Sequence, residues 1–340
     1  MENDIILKKS NKLGFRIWIC VIIFGLAGQL AWMVENMYFS AFIQANITKD
    51  AWATSAAVAS SAVVAALATI FGGALSDRIG KRKLFICGGY ILWGISIWSF
   101  SLIRTDVIEK LFPMTISAAT IGVSLAIIMD CVMTFFGSAA NDACFNAWLT
   151  DVTDDTNRGA AEGINSMMPL VAILVVFGGF MGFDLNKSES WTNIYTIIGV
   201  VVFLLGILAI FLVQDVPVDT SKNQNYFGNI FYGFRLSVIK NNKLFYIILA
   251  AYAIFCISIQ IFMPYLILYY NVALKMDNYV LIMAPAVIVA AIVTAFYGRV
   301  YDRFHFKVAV MPAIGVLMIG YILLYLFKMT AFVFVGSLFM

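Results

Sequence analysis

Apolar stretches of about 20 residues or more, separated by short polar connections, recur along the whole 340-residue chain. A helix rises about 1.5 Å per residue and a bilayer core is about 30 Å thick, so each stretch is long enough to cross a membrane as one helix. Nine such runs are read at 14–42, 51–75, 84–103, 115–148, 161–183, 191–213, 244–270, 279–300 and 308–327, and residues 331–340 begin a tenth. Composition agrees: 62% of the residues are hydrophobic and 12% charged, against roughly a quarter charged in a soluble domain. With a mean hydropathy of +0.93, the apolar excess is more than one core can bury, so the surface itself must face lipid. Lipid offers the backbone no hydrogen bonds, and an all-α polytopic membrane protein follows.

The first run is too long for a signal-peptide core and ends in polar residues rather than a small-residue cleavage site, so it is expected to remain as a membrane helix. Placing the N-terminus in the cytoplasm puts 16 of the 22 basic residues on the cytoplasmic side, as the positive-inside rule requires. A multi-pass protein of the cytoplasmic (plasma) membrane is expected. The longest polar stretch, 214–243, follows the sixth helix and divides the chain into an N-terminal six-helix bundle over 1–213, a cytoplasmic loop over 214–243 and a C-terminal bundle over 244–340. Only three helices and a beginning follow that loop, so the second bundle reads as incomplete and the chain as truncated at its C-terminus.

Several function classes lose their support. There is one His, and the five Cys stand singly in apolar stretches, so neither a metal site nor a disulfide framework is suggested. No HExxH, GxSxG or GxxxxGK[ST] pattern occurs. Covalent catalysis, a bound cofactor and a nucleic-acid partner are not expected; the partners are a small-molecule substrate and the bilayer, with the chain a monomer. Asn46-Ile-Thr48 fits a glycosylation sequon.

The loop between the second and third helices reads Gly73-Ala-Leu-Ser-Asp77-Arg78-Ile-Gly80-Lys81-Arg82-Lys83, and that between the eighth and ninth reads Gly298-Arg-Val-Tyr-Asp302-Arg303-Phe-His-Phe-Lys307. In both, Gly precedes Asp-Arg by the same interval and a base follows five residues after the Asp. Gly73 is expected to allow close helix approach and Gly80 a tight turn, while Asp77 accepts from helix-end amides or pairs with a base. A positive-inside loop accounts for one copy; the repeat points to two parallel halves.

This doubled motif resembles that of the major facilitator superfamily. The resemblance implies a major facilitator fold of two pseudosymmetric helical bundles around a central cavity, here nine helices plus the start of a tenth, working by alternating access. His305 stands where the second copy would carry its Gly. Within the superfamily, the stretch from Asn141-Asp142 through Asn146, Trp148, Asp151 and Arg158 is similar to the fourth-helix region of glycoside-pentoside-hexuronide cation symporters. By that resemblance Asp142 matches a cation- and sugar-linked aspartate and Arg158 a loop arginine. The second helix, however, lacks the acidic cation ligands of those sodium-coupled carriers, which favours H+ over Na+ as the coupling ion.

Ionisable side chains inside a bilayer cost at least about 2.5 kcal/mol each on insertion scales, so Glu35, Asp130 and Asp142 are candidate coupling residues. No Lys or Arg lies deep in any run, and an acid without a basic partner is held most cheaply with a proton on it. On the first helix Gly25, Gln29, Trp32 and Asn36 share a face with Glu35 on its flank: amides for solute hydroxyls and an indole for stacking on a sugar ring, or interhelical hydrogen bonds and an aromatic belt. In a regular helix the twelve residues between Asp130 and Asp142 are about 18 Å and about 120° of rotation, so the two are not expected to act as a pair. Asn141 and Asn146 stand beside Asp142. The loop acids Asp151, Asp154 and Asp155, with Arg158, are expected to form gating ion pairs with 77–83 or to stay solvated. Gln260, Pro264, Tyr265, Tyr269, Tyr270 and Asn271 give the seventh helix a polar-aromatic end, with a kink at Pro264. A carrier of a small hydroxylated solute (sugar, glycoside or uronide) is expected, beside two rival readings: an amphiphile or lysolipid carrier, and a non-transporting receptor.

Overall fold

The computed structural model describes residues 13–111, 118–154, 156–215, 232–276, 278–303, 306–328 and 330–340. Among them every regular element is helical. The long helices are α1 (Phe15–Asn46), α2 (Ala51–Ile79), α3 (Arg82–Leu102), α4 (Ala119–Val152), α5 (Arg158–Phe180), α6 (Ser188–Leu212) and α7 (Lys243–Ala273), each long and apolar enough to cross a membrane. They are followed by α8 (Val280–Arg303), α9 (Phe306–Leu326) and α10 (Thr330–Phe339). These match the sequence-derived runs within a few residues, the tenth included. A short helix at Thr105–Leu111, too short to span anything, leads from α3 towards α4.

The helix boundaries have local causes. Asp50 precedes α2 and its carboxylate accepts from the Trp52 N–H at 3.0 Å, satisfying one free donor of the first turn. Gly80 ends the helix in the left-handed region at φ 68°, where its N–H reaches the Ser76 carbonyl. The turn expected of Gly80 is therefore present. Three stretches are π-helical: Val34–Tyr38 inside α1, Ser138–Phe145 inside α4 and Tyr269–Ala273 at the end of α7. Beside Pro264, α7 tightens into a 3-10 turn over Met263–Tyr265.

The described chain groups into two compact units, Met1–Met168 with Asp184–Tyr265, and Pro169–Phe183 with Leu266–Met340. Two of the three boundaries fall inside helices, next to Pro169 in α5 and Pro264 in α7, and the third lies between α5 and α6.

In the first unit α3 lies along α6, and glycines bring the two backbones together. A Cβ on Gly94 would strike the Phe203 backbone, and one on Gly206 would fall 2.6 Å from the Ile91 nitrogen. Dispersion and close packing, rather than hydrophobic expulsion, hold helices together in lipid, so such contacts carry the association. Behind them Phe42, Phe100, Trp191 and Tyr195 form a buried aromatic cluster, with Phe100 stacked on Tyr195 at 5.2 Å between centroids. The opposite faces stay apolar and exposed, as on α2 at Leu67, Ile70 and Phe71. In the second unit α10 packs against α8 and α9, the Tyr269 hydroxyl donates to the Leu324 carbonyl, and the Tyr270 hydroxyl is hydrogen-bonded to Ser337.

Candidate functional site

Within the first unit, α1, α2, α4 and α7 surround a cavity of about 350 Å³. Its wall takes Gln29, Trp32, Glu35, Asn36 and Phe39 from α1, and Val58, Ser61, Ala62 and Ala65 from α2. Asp130, Thr134, Ser138 and Asp142 come from α4, and Gln260 and Pro264 from α7. All three intramembrane acids therefore open onto one chamber, whose lining holds no Lys, Arg or His among the described residues.

Asp130 and Asp142, twelve residues apart on α4, both line this chamber, each with its own neighbours. A regular helix turns them away from each other, but the stretch Ser138–Phe145 is wound with i→i+5 bonds and turns less per residue, which holds Asp142 on the cavity side. The Val34–Tyr38 stretch holds a similar place on α1, where Glu35 lines the wall with Trp32 and Asn36. Gly25, expected on that same face, points elsewhere: a Cβ there would meet Asn165 of α5 at 2.8 Å.

Each acid has a different set of partners. One Asp142 oxygen accepts from the Trp32 indole N–H at 3.2 Å and from the Asn141 amide at 3.1 Å. Asn141 is 4% exposed and does not line the chamber; its own oxygen accepts from the Tyr90 hydroxyl at 2.8 Å. It thus orients Asp142 from behind, a role the sequence did not separate from binding. Gly28 makes room for it, since a Cβ there would collide with Asn141 Oδ1. Glu35 Oε1 accepts from the Thr134 hydroxyl at 2.8 Å, while Oε2 is buried without a protein partner. Asp130 is 1% exposed, has Ser61 beside it, and its Oδ1 is likewise unpartnered. Asn36 donates to the Trp32 carbonyl at 2.9 Å and accepts from Gln260 at 3.2 Å. Among the described residues no group of three or more His, Cys, Asp or Glu is arranged to hold a metal ion.

Asn146 lies off the cavity wall; it is exposed, and its amide donates to the Asp142 carbonyl at 3.1 Å. Residues not singled out from the sequence are Ser61, Thr134 and Ser138. The last two had a legible signal, because Asp130, Thr134, Ser138 and Asp142 recur at intervals of four along α4. Tyr265, expected at the polar end of α7, instead bonds Ser55 at 2.7 Å. The Asn46 amide donates to the Phe42 carbonyl at 3.1 Å and the residue is 4% exposed, so the nitrogen a glycan would need is committed inside the fold.

A second polar cluster surrounds Arg82, itself 5% exposed. Its guanidinium pairs with Asp77, donates to Asp151 Oδ2 at 3.0 Å and reaches Ser76. The Lys83 N–H donates to Asp215 at 2.7 Å nearby. Gly73, expected as the close-approach residue, has only an ordinary contact to Ala143; it is Gly72 whose Cβ would lie 3.1 Å from that of Ala139. Arg158 does not join the motif. It donates to the Thr150 carbonyl at 3.0 Å and to Thr153, closing the end of its neighbour α4. Asp154 accepts from Thr156 in its own turn at 2.8 Å, and Arg78 lies exposed at the end of α2. Gly298, Asp302 and Arg303 fall in the last turns of α8, with side chains outside the described residues; Asp155 and His305 lie outside them altogether.

Apolar helices around a chamber of acids, amides and hydroxyls describe a multi-pass membrane protein with a polar interior. The chain belongs to the Major Facilitator Superfamily, whose family model matches residues 17–340, and its biochemical class is accordingly a major facilitator transporter. No curated protein matches the chain.

Proposed function

We propose that this protein is a secondary active carrier of a small hydroxylated solute, coupled to protons and working by alternating access in the plasma membrane with its N-terminus in the cytoplasm. The observation that carries the reading is a membrane-embedded chamber with three carboxylates and no base in its described lining. Burying a carboxylate as an anion is costly, so such a group is a natural proton acceptor when the chamber opens to an acidic side. Asp142 suits the coupling role: its partners Trp32 and Asn141 are fixed donors that stabilise the anion once the proton leaves. Gln29, Asn36 and Gln260 supply amides for solute hydroxyls, and Trp32 an indole for a sugar ring. The likeness of the Asn141–Arg158 stretch to glycoside and hexuronide symporters supports the same solute class, with two bundles at 1–213 and 244–340 joined through 214–243. In this reading the Asp77–Arg82–Asp151 cluster is the latch of one conformation, with Gly298, Asp302 and Arg303 as its counterpart.

The test is uptake of radiolabelled monosaccharides and glycosides into vesicles under an imposed pH gradient. Accumulation should collapse with the gradient and in Asp142→Asn. Uptake that ignores the gradient would make the protein a facilitator, and no uptake of any sugar by folded protein would remove the sugar reading.

A further inference from the structure

The three acids of the chamber are not equivalent. Asp142 is served by two neutral donors on one oxygen, whereas Glu35 and Asp130 each keep a buried oxygen with no protein partner. A polar atom buried without a partner is costly, and two such acceptors on residues that line one chamber ask for a donor from outside the protein. A neutral sugar answers this poorly. Each hydroxyl brings lone pairs as well as a hydrogen, and the like charges of Glu35 and Asp130 stay uncompensated in a space of about 350 Å³. A primary ammonium brings three donors, no acceptor and a positive charge. Phe39 and Trp32 present rings in the same wall, a surface that also favours cations.

Building on the carrier reading of this cavity, we propose that its solute is a cation: a protonated primary amine on a small hydroxylated skeleton, the amino-sugar class, with the ammonium held by Glu35 and Asp130 and the hydroxyls by the amides of Gln29, Asn36 and Gln260. The two functions then divide between the acids. Asp142, already provided with donors, carries the proton; Glu35 and Asp130 carry the solute charge.

Equilibrium binding of radiolabelled glucosamine to the full chain in lipid nanodiscs tests this, at a pH where the amine is protonated, with glucose and N-acetylglucosamine as competitors. Glucose differs from glucosamine by a hydroxyl in place of the ammonium, so the comparison on unaltered protein needs no variant. Glucosamine should bind at least about tenfold more tightly than either neutral sugar, and Glu35→Gln and Asp130→Asn should each erase that preference. Glucose binding as tightly as glucosamine overturns the cationic assignment, and pH-driven glucose uptake would show the carrier reading intact. A preference that persists in both variants overturns the placement of the ammonium. Failure of all three sugars to bind protein that retains its helical circular dichroism overturns this proposal and the hydroxylated-solute reading together.

Discussion

Carboxylates occupy two contrasting settings in the first unit. Where α2 ends and α3 begins, Asp77 and, from the end of α4, Asp151 close on Arg82. In the cavity, Glu35, Asp130 and Asp142 face a wall with no base in its described lining. The first group has its counter-charge within the chain, one guanidinium shared by two carboxylates. The second is incomplete, and its charge must be met by something that arrives and leaves, a proton or a cation. The same residue type thus serves as a fastener where it is paired and as a receptor where it is not.

Substitutions on the two sides should separate accordingly. Removing the base from the paired cluster, Arg82→Met, strands two acids and should have the largest effect, a loss of about 3 kcal/mol of stability, read as an early thermal melt in detergent. Gly28→Ala drives a methyl into Asn141 and disturbs the support of Asp142; overpacking of this kind costs about 1–3 kcal/mol, and the melt should fall with pH-driven uptake. In the cavity the sign should reverse. Glu35→Gln removes one like charge facing Asp130 and should leave the melting temperature unchanged or raise it, by about 1 kcal/mol of stability at most, while gradient-driven uptake is lost. A strong destabilisation by Glu35→Gln would dissolve the distinction between the two settings. Smallest should be Thr134→Val, which takes one hydroxyl from Glu35 Oε1 and should cost about 1 kcal/mol, visible as a modest shift in the same melts.

Much of the architecture could be read from the chain because apolar length is a local property. The run at 51–75 became Ala51–Ile79, and that at 308–327 became Phe306–Leu326. The doubled Gly-xxx-Asp-Arg motif pointed to the family, and the scarcity of intramembrane acids singled out Glu35, Asp130 and Asp142. Their convergence was hidden for a geometric reason. Helical-wheel reasoning assumes a constant rotation per residue, and the π stretches at 34–38 and 138–145 break that assumption at the acids themselves. Ser61 was hidden for a chemical one. A lone hydroxyl in a membrane helix can return its hydrogen to its own backbone, so sequence does not distinguish a liner from a packing residue. The choice of Arg82 over Arg78 as the buried base depends on which side of the Gly80 turn each falls.

The π stretch in α1 has a consequence for how that helix tolerates change in length. Beyond it, the hydroxyl of Ser40 donates to the Pro264 carbonyl, just where α7 tightens. A π turn holds about one residue more than an α turn, so deleting one residue from 34–38 would let an ordinary helix form with Phe39–Asn46 near its present azimuth, whereas a deletion in a regular turn swings everything beyond it by about 100°. Ser40 should then keep its acceptor and Phe39 its place in the cavity wall. The stretch behaves as a one-residue splice: it uncouples the azimuth of Phe39–Asn46 from that of Phe15–Met33, so the two ends of one membrane helix answer to different neighbours.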